Sequence, residues 1–184
     1  MTEKLKFLEM PYAQFKVEVR SVELCANGID DVEFMIITNP TESFKPLVKI
    51  ASGGEISRII LAIKTVFANS DDIGTVIFDE IDTGVSGKTS QAIAQQLSKL
   101  AKTHQILSIT HQPIIAACAD THFHVSKIQT ENSVEVQVKK LSGEERESIL
   151  AKMLSGNENA ESLNLAREML GKTTQKPVQS YLHF

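Results

Sequence analysis

Three short segments of the 184-residue sequence bring together residue types that can handle a charged ligand. The first is Ala51-Ser52-Gly53-Gly54-Glu55, ahead of an apolar run with helical spacing. Ser52 as N-cap and Glu55 three residues on make a capping box, which satisfies backbone N–H groups that a helix start leaves without partners. Capping alone does not account for two adjacent glycines, since glycine costs about 1 kcal/mol relative to alanine inside a helix. Without Cβ atoms, the Gly53 and Gly54 amides can instead approach an anion at the positive end of the helix dipole. Both readings stay open on this segment alone. The second segment, Thr75–Glu80 (TVIFDE), is an apolar run ending in two consecutive acids. In a parallel sheet, Asp79 and Glu80 would emerge at the carboxyl edge, where open α/β folds bind ligands. Successive residues point opposite ways, so one acid could hold a hydrated Mg²⁺ while the other addresses a water. A solvated strand end before a turn is the plainer alternative. The third, Gln105–His111 (QILSITH), places His111 just past another apolar run, beside the acids if the two strands are neighbours.

A fourth segment is misleading. Gly84-Val85-Ser86-Gly87-Lys88-Thr89 ends in GKT before a helix. A phosphate-cradling loop requires GxxxxGK[ST], and Asp82 stands where its first glycine belongs. Lys88 and Thr89 are therefore expected to begin the next helix. A nucleotide hydrolase needs backbone amides and a lysine around the β- and γ-phosphates. That part of the apparatus is missing from these residues.

The elements that must position these groups follow from hydrophobic periodicity. Gln14–Arg20 alternates with Phe15, Val17 and Val19 inward, and Val32–Thr38 is a second strand, reached through turns at Asn27-Gly28 and Asp30-Asp31. A loop over Thr41–Ala51 leads to a helix from about Gly53 to Asn69, with Ile56, Ile59, Ile60, Ile63 and Phe67 on one face. Thr75–Asp79 and Gln105–Thr110 read as strands buried on both faces, separated by a helix over about Lys88–Thr103. A short helix at Pro113–Ala119, strands at Thr121–Lys127 and Ser133–Leu141, and helices near Glu144–Leu154 and Ala160–Leu170 complete the chain. Ser155-Gly156-Asn157 breaks the last two helices apart. This strand–helix–strand alternation predicts an α/β fold around a mostly parallel sheet flanked by helices, with additional strands near both ends. Residues 1–171 are expected to form a single domain and residues 172–184 a flexible tail.

Composition limits the function classes. Hydrophobic residues make up 42% and charged residues 23%, which is ordinary for a globular domain and excludes disordered and collagen-like classes. No run approaches the length of a membrane-spanning helix, and the N-terminus has no apolar signal core, so the expectation is a cytoplasmic protein with no membrane partner. Cys25 and Cys118 lack framework or metal-ligand spacing and read as reduced thiols. A net charge of −4 disfavours a chain whose main task is coating nucleic acid. Any contact with DNA should be indirect, or be made by another part of the protein.

In this order and spacing, the segments resemble the C-terminal half of an ABC-type ATPase head of the SMC-like kind, and within it the RecN family of bacterial DNA repair proteins. The residues that carry the resemblance are Lys49–Arg58 (KIASGGEISR), Val76–Gly87 (VIFDEIDTGVSG), Ser108–Pro113 (SITHQP) and Val125-Ser126-Lys127. Ala26–Phe34 and Ile149–Gly156 add to it, and the likeness extends over about residues 1–170. Ile81 and Ser86 stand where transporter subunits usually have proline and aspartate. Thr41 stands where the family would have glycine, with no effect expected on the site.

The resemblance implies a role for each residue. Ser52, Gly53, Gly54 and Glu55 would form the signature loop, touching the γ-phosphate of ATP held by the opposite head. Asp79 would support Mg²⁺ through water, and Glu80 would orient or deprotonate the attacking water. Asp82, Ser86 and Gly87 would lie in the D-loop at a dimer interface, and His111 would be the switch histidine. The implied partners are an N-terminal lobe that supplies the P-loop, a second head, and DNA indirectly. The implied setting is double-strand-break repair and recombination on the bacterial nucleoid. Alone, the chain should bind ATP weakly and hydrolyse none. Two other readings are a transporter's nucleotide-binding lobe, disfavoured by the short Thr41–Ile50 loop, and a non-enzymatic interaction module, against which intact Asp79, Glu80 and His111 argue.

Overall fold

A computed structural model describes residues 1–50, 52–68, 72–129 and 133–174. The chain divides into two compact units, Met1–Thr110 and His111–Phe184.

In the first unit, helix α1 (Thr2–Phe7) precedes strands β1 (Gln14–Cys25) and β2 (Gly28–Ile37). The helix is short and was not foreseen from periodicity. The strands pair antiparallel from Gln14↔Ile37 to Cys25↔Gly28, with an irregularity between Ser21 and Cys25. A single tight turn at Ala26-Asn27 joins them. Asp30 and Asp31, expected in a turn, instead lie in β2 opposite Ser21 and Arg20. The apolar face is as expected: Phe15, Val17 and Val19 oppose Ile36, Phe34 and Val32. Its burial is not. Ile36 is buried, but Val17, Val19, Val32 and Phe34 are exposed, Val19 by 60%. This two-stranded ribbon has no layer over its far half among the described residues. Strand β3 (Lys45–Pro46) extends the sheet beside β2, and a 3₁₀ turn at Leu47–Lys49 follows.

Helix α2 (Gly53–Phe67) packs against α1 and against α3 (Gly87–Leu100). Its buried residues are Gly54, Ile59, Leu61 and Ala62, so the covered stripe is rotated from the expected one and leaves Phe67 exposed. Ala51 and Asn69, which bounded the expected loop and helix, lie outside the described residues. Strands β4 (Thr75–Phe78) and β5 (Gln105–Ser108) form the parallel pair that the sequence called for, in the register Thr75↔Gln105 to Phe78↔Ser108. Double-sided burial is corrected. Val76 and Phe78 are buried on one face, while Ile77 is 66% exposed and Leu107 is exposed on the other. Helices cover one face of the pair, and nothing described in this unit covers its other face. As expected, Lys88 and Thr89 belong to α3. Lys88 reaches Glu9 at 3.1 Å, and Thr89 is buried beside Ser86, with hydroxyls 3.2 Å apart.

The second unit contains helix α4 (Pro113–Ala117), the antiparallel hairpin of β6 (His122–Gln129) and β7 (Val134–Leu141), and helices α5 (Gly143–Ser155) and α6 (Ala160–Thr174). Leu150 and Ala151 of α5, Ala166 of α6, and Ala116 and Ala117 of α4 make its core. Gly156, in the left-handed region at φ 75°, ends α5 where L side chains are strained. Asn159 and Ser162 open α6 with reciprocal bonds. The Ser162 N–H donates to Asn159 Oδ1 at 2.8 Å, and the Asn159 N–H donates to Ser162 Oγ at 3.0 Å. Arg146 Nη2 donates to the carbonyls of Ala116, Ala117 and Ala119 and so ties α5 to the end of α4. Strand β7 is exposed along most of its length, as its alternation implied. Helix α6 runs three residues past Gly171, and residues 175–184 of the expected tail lie outside the described residues.

Ile59→Ala and Leu150→Ala should each remove about 3 kcal/mol of unfolding free energy, the usual loss for a fully buried aliphatic side chain. Val19→Thr should stay within about 0.5 kcal/mol, the range of surface changes, with all three read by urea denaturation. The buried Nδ1 of His122 has no hydrogen-bond partner among the described residues. Burial, with Arg146 and His124 adding to it, holds its pKa below the ordinary histidine value. The unfolded chain therefore binds the proton more readily. The histidine's contribution is full above about pH 6.5 and is lost as the pH falls below that value. His122→Asn should make the urea midpoint less sensitive to acidification over that range than in the parent chain.

Candidate nucleotide site

The N-terminal turn of α2 is capped by Ser52, whose Oγ accepts the Glu55 N–H at 3.4 Å. Ser52 and Gly53 are exposed, and Gly54 is buried. The neighbours of the glycines explain the pair. A Cβ on Gly53 would lie 2.5 Å from Glu80 Oε2. One on Gly54 would lie 3.1 Å from the Glu80 carbonyl and 3.2 Å from the Thr83 carbonyl. Close approach, inferred from the sequence for an external anion, is made here to the chain's own acidic turn.

That turn follows β4 directly. Glu80 has φ 56°, in the left-handed region, which costs a residue with a Cβ about 1 kcal/mol. Such strain persists only where surrounding structure over-determines it. Three contacts do so. The Thr83 N–H closes the turn onto the Glu80 carbonyl at 3.1 Å. Ser57 Oγ donates to the Asp79 carbonyl at 2.7 Å. Arg58 Nη1 donates to the carbonyls of Ile81 and Thr83, each at 3.3 Å. Burial lowers the Arg58 pKa from its ordinary value, with Glu55 opposing, and the group stays cationic at neutral pH. The side chains of Asp79 and Glu80 are exposed at the carboxyl end of β4, as expected for acids meant to meet a ligand.

Asp82 is placed differently from the expectation of an interface residue. It is 2% exposed, and its carboxylate accepts a hydrogen bond from the Thr110 hydroxyl. A carboxylate buried in this way ties the loop after β4 to the end of β5 within its own unit. Ser86 and Gly87 remain exposed at the start of α3. His111 is exposed, follows Thr110 in the chain, and opens the second unit, with Nε2 3.2 Å from Gln112 Nε2. Six of the expected residues, Ser52, Gly53, Gly54, Asp79, Glu80 and Asp82, thus lie around β4 and the start of α2. Ser57, Arg58 and Thr110 were missed. For Arg58 a signal existed: it stands four residues after Gly54, on the same face of a helix otherwise rich in isoleucine.

The oxygen donors suit a hard cation such as Mg²⁺, because Asp79 and Glu80 are accessible carboxylates side by side. The exposed start of α2 suits a phosphate group through its dipole and free amides. Lys88 and Thr89 are engaged at the start of α3, where Lys88 reaches Glu9 and the Thr89 hydroxyl lies against that of Ser86.

No family model matches the chain. It is 44% identical over 178 residues to the DNA repair protein RecN of Halalkalibacterium halodurans, a span taking in 94% of this chain and 32% of that protein. Against RecN of Bacillus subtilis the identity is 42% over 160 residues, 86% of this chain and 28% of the relative. The chain is homologous to the C-terminal part of RecN. It spans about a third of the length of these RecN relatives. Among solved structures, the Smc head domain with a coiled coil and joint from Pyrococcus yayanosii aligns with a TM-score of 0.60 at 21% identity, covering 84% of this chain and 28% of that one. The SmcHead bound to the C-winged helix domain of ScpA aligns at 0.52 and 21% identity, covering 76% of this chain and 41% of that one. At that identity the likeness establishes the fold, the α/β architecture of an SMC head lobe.

Gly54→Ala should lower stability although alanine favours a helix. Crowding the two carbonyls costs about 1–3 kcal/mol against a propensity gain of about 1 kcal/mol. Urea denaturation should show a lower midpoint for Gly54→Ala and an unchanged or higher one for Gly53→Ala, where the flexible Glu80 carboxylate can move aside.

Proposed function

We propose that this chain is the C-terminal lobe of an ATP-hydrolysing, SMC-like head of a RecN-type DNA repair protein, and that it works as half of a composite site. The observation that carries the reading is Glu80. An exposed carboxylate is held at φ 56° after a parallel strand, beside a glycine-tipped helix start.

When bound, ATP supplies the phosphoryl group and Mg²⁺ neutralises charge on its phosphates. This chain's own residues do the rest. Asp79 would hold the cation through water. Glu80 would accept a hydrogen bond from the attacking water and take its proton as the new bond to the γ-phosphorus forms and the bond to the bridging oxygen breaks, with ADP leaving. The amides at the start of α2, with Ser52, stabilise charge on the γ-phosphate presented by a second head. They favour the closed pair of heads only while that charge is there. His111 would sense the γ-phosphate in its own head. Ser86 and Gly87 contribute to the contact between heads.

The chain's partners are an N-terminal lobe with the P-loop and a second head. DNA is engaged through the complete protein, in double-strand-break repair and recombination in the bacterial cytoplasm at the nucleoid. No helix among the described residues is long and apolar enough to cross a membrane.

Mixing this chain with a P-loop-bearing N-terminal RecN lobe should produce ATP hydrolysis that neither piece shows alone. Glu80→Gln should lower the turnover of the mixture by at least about 100-fold, the scale of losing a general base, while ATP-dependent association of heads persists. Hydrolysis by the unmixed chain, abolished by Glu80→Gln, would overturn the composite reading.

A further inference from the structure

The start of α2 and the Glu80 turn are usually two separate questions: one concerns what grips a phosphate, the other what activates a water. In this chain they are one packed unit. Gly53 stands against the Glu80 carboxylate so closely that a single methyl group would collide with it at 2.5 Å. One helical turn further along α2, Ser57 holds the carbonyl before Glu80, and Arg58 holds the two carbonyls that flank Asp82. Gly54 is buried beneath the same turn. All four residues belong to the first two turns of one helix, so they move together or not at all.

We propose that Arg58, assisted by Ser57, is a positioning residue for Glu80, and that through it the phosphate-facing start of α2 is coupled to the hydrolytic carboxylate of the same chain. The inference rests on the reading of Glu80 as the group that addresses water. Its physical content is a competition among backbone carbonyls. The left-handed φ of Glu80 is unfavourable alone, and the two bonds from a cationic guanidinium to the turn's carbonyls offset that cost. A neutral side chain at position 58 leaves those carbonyls without their donor, and the turn relaxes towards ordinary φ values. The Glu80 carboxylate then leaves its place against Gly53. In the other direction, a displacement of the start of α2 carries Ser57 and Arg58 with it, and these hold the turn that bears Glu80. An event at the start of α2 is therefore felt by the carboxylate in the same chain.

The test uses the mixed system of this chain and the P-loop-bearing lobe, with kcat and KM for ATP measured for Arg58→Met, Arg58→Lys and Ser57→Ala. Misplacing a reacting group by an ångström costs up to about 100-fold, so Arg58→Met should lower kcat by about 10- to 100-fold with KM within about 2-fold. Arg58→Lys should recover part of the loss. In a Glu80→Gln background, Arg58→Met should cause no further loss, because the group it positions is already gone. Hydrogen exchange on the chain alone gives a readout independent of turnover. In Arg58→Met the amides over 80–83 should exchange faster while those of α3 do not change. Normal kcat in Arg58→Met, or an equal further loss in the Glu80→Gln background, would overturn the coupling. Full activity of Glu80→Gln by itself would instead overturn the role given to Glu80.

Discussion

The Glu80–Thr83 turn hangs on the side chains of one helix, and the arrangement of the first unit depends on that attachment. A strand that ends in two acids would ordinarily release them into solvent with no fixed direction. Here the backbone after Asp79 is bent into a conformation that L residues avoid, and it is held there by Ser57, Arg58 and the lack of side chains at Gly53 and Gly54. The glycines are needed because the turn comes closer to the helix than a Cβ permits. The arginine is needed because carbonyl groups turned inward by the bend need a donor. Each feature is awkward alone and consistent with the others.

A second tie works on the far side of the same loop. The Asp82 carboxylate, buried and bound by the Thr110 hydroxyl, links the segment after β4 to the end of β5. The parallel pair is thus joined by its ladder, by Thr75 Oγ1 donating to Gln105 Oε1 at 3.0 Å, and by this side-chain bridge beyond its carboxyl end. Asp82, read from the sequence as a D-loop residue, is buried within its own unit and bound there by Thr110.

Much of this was legible in the sequence, and the misses have common causes. Short apolar runs at 75–79 and 105–110 gave the strands β4 and β5 and their parallel sense, while the register came only with the structure. The capping residue Ser52 and the break at Gly156 were legible because local backbone chemistry fixes them. Burial was overestimated for Val17, Val19 and Ile77. Alternation of apolar residues identifies a face that can be covered, and says nothing of whether this stretch of chain supplies the cover. The partners of Arg58 and Thr110 were not legible for a different reason. Each acts on backbone atoms or on a carboxylate more than twenty positions away in sequence, and no periodicity encodes such a partner.

Uncovered apolar faces recur in all three sheets. Val17, Val19, Val32 and Phe34 on the first hairpin, Ile77 and Leu107 on the parallel pair, and Phe123, Val125, Val136 and Val138 on the second hairpin are all exposed. Single exposed apolar residues are ordinary, but each of these sets lies along one face of paired strands. On the parallel pair the opposite face is buried at Val76 and Phe78, whereas β7 is exposed at every position except Leu141. On the proposed reading, a helix start that grips a phosphate and a carboxylate that directs water would act only when another surface brings the substrate. The packing of the Glu80 turn against the start of α2 would then link the arrival of the phosphate to the setting of the base.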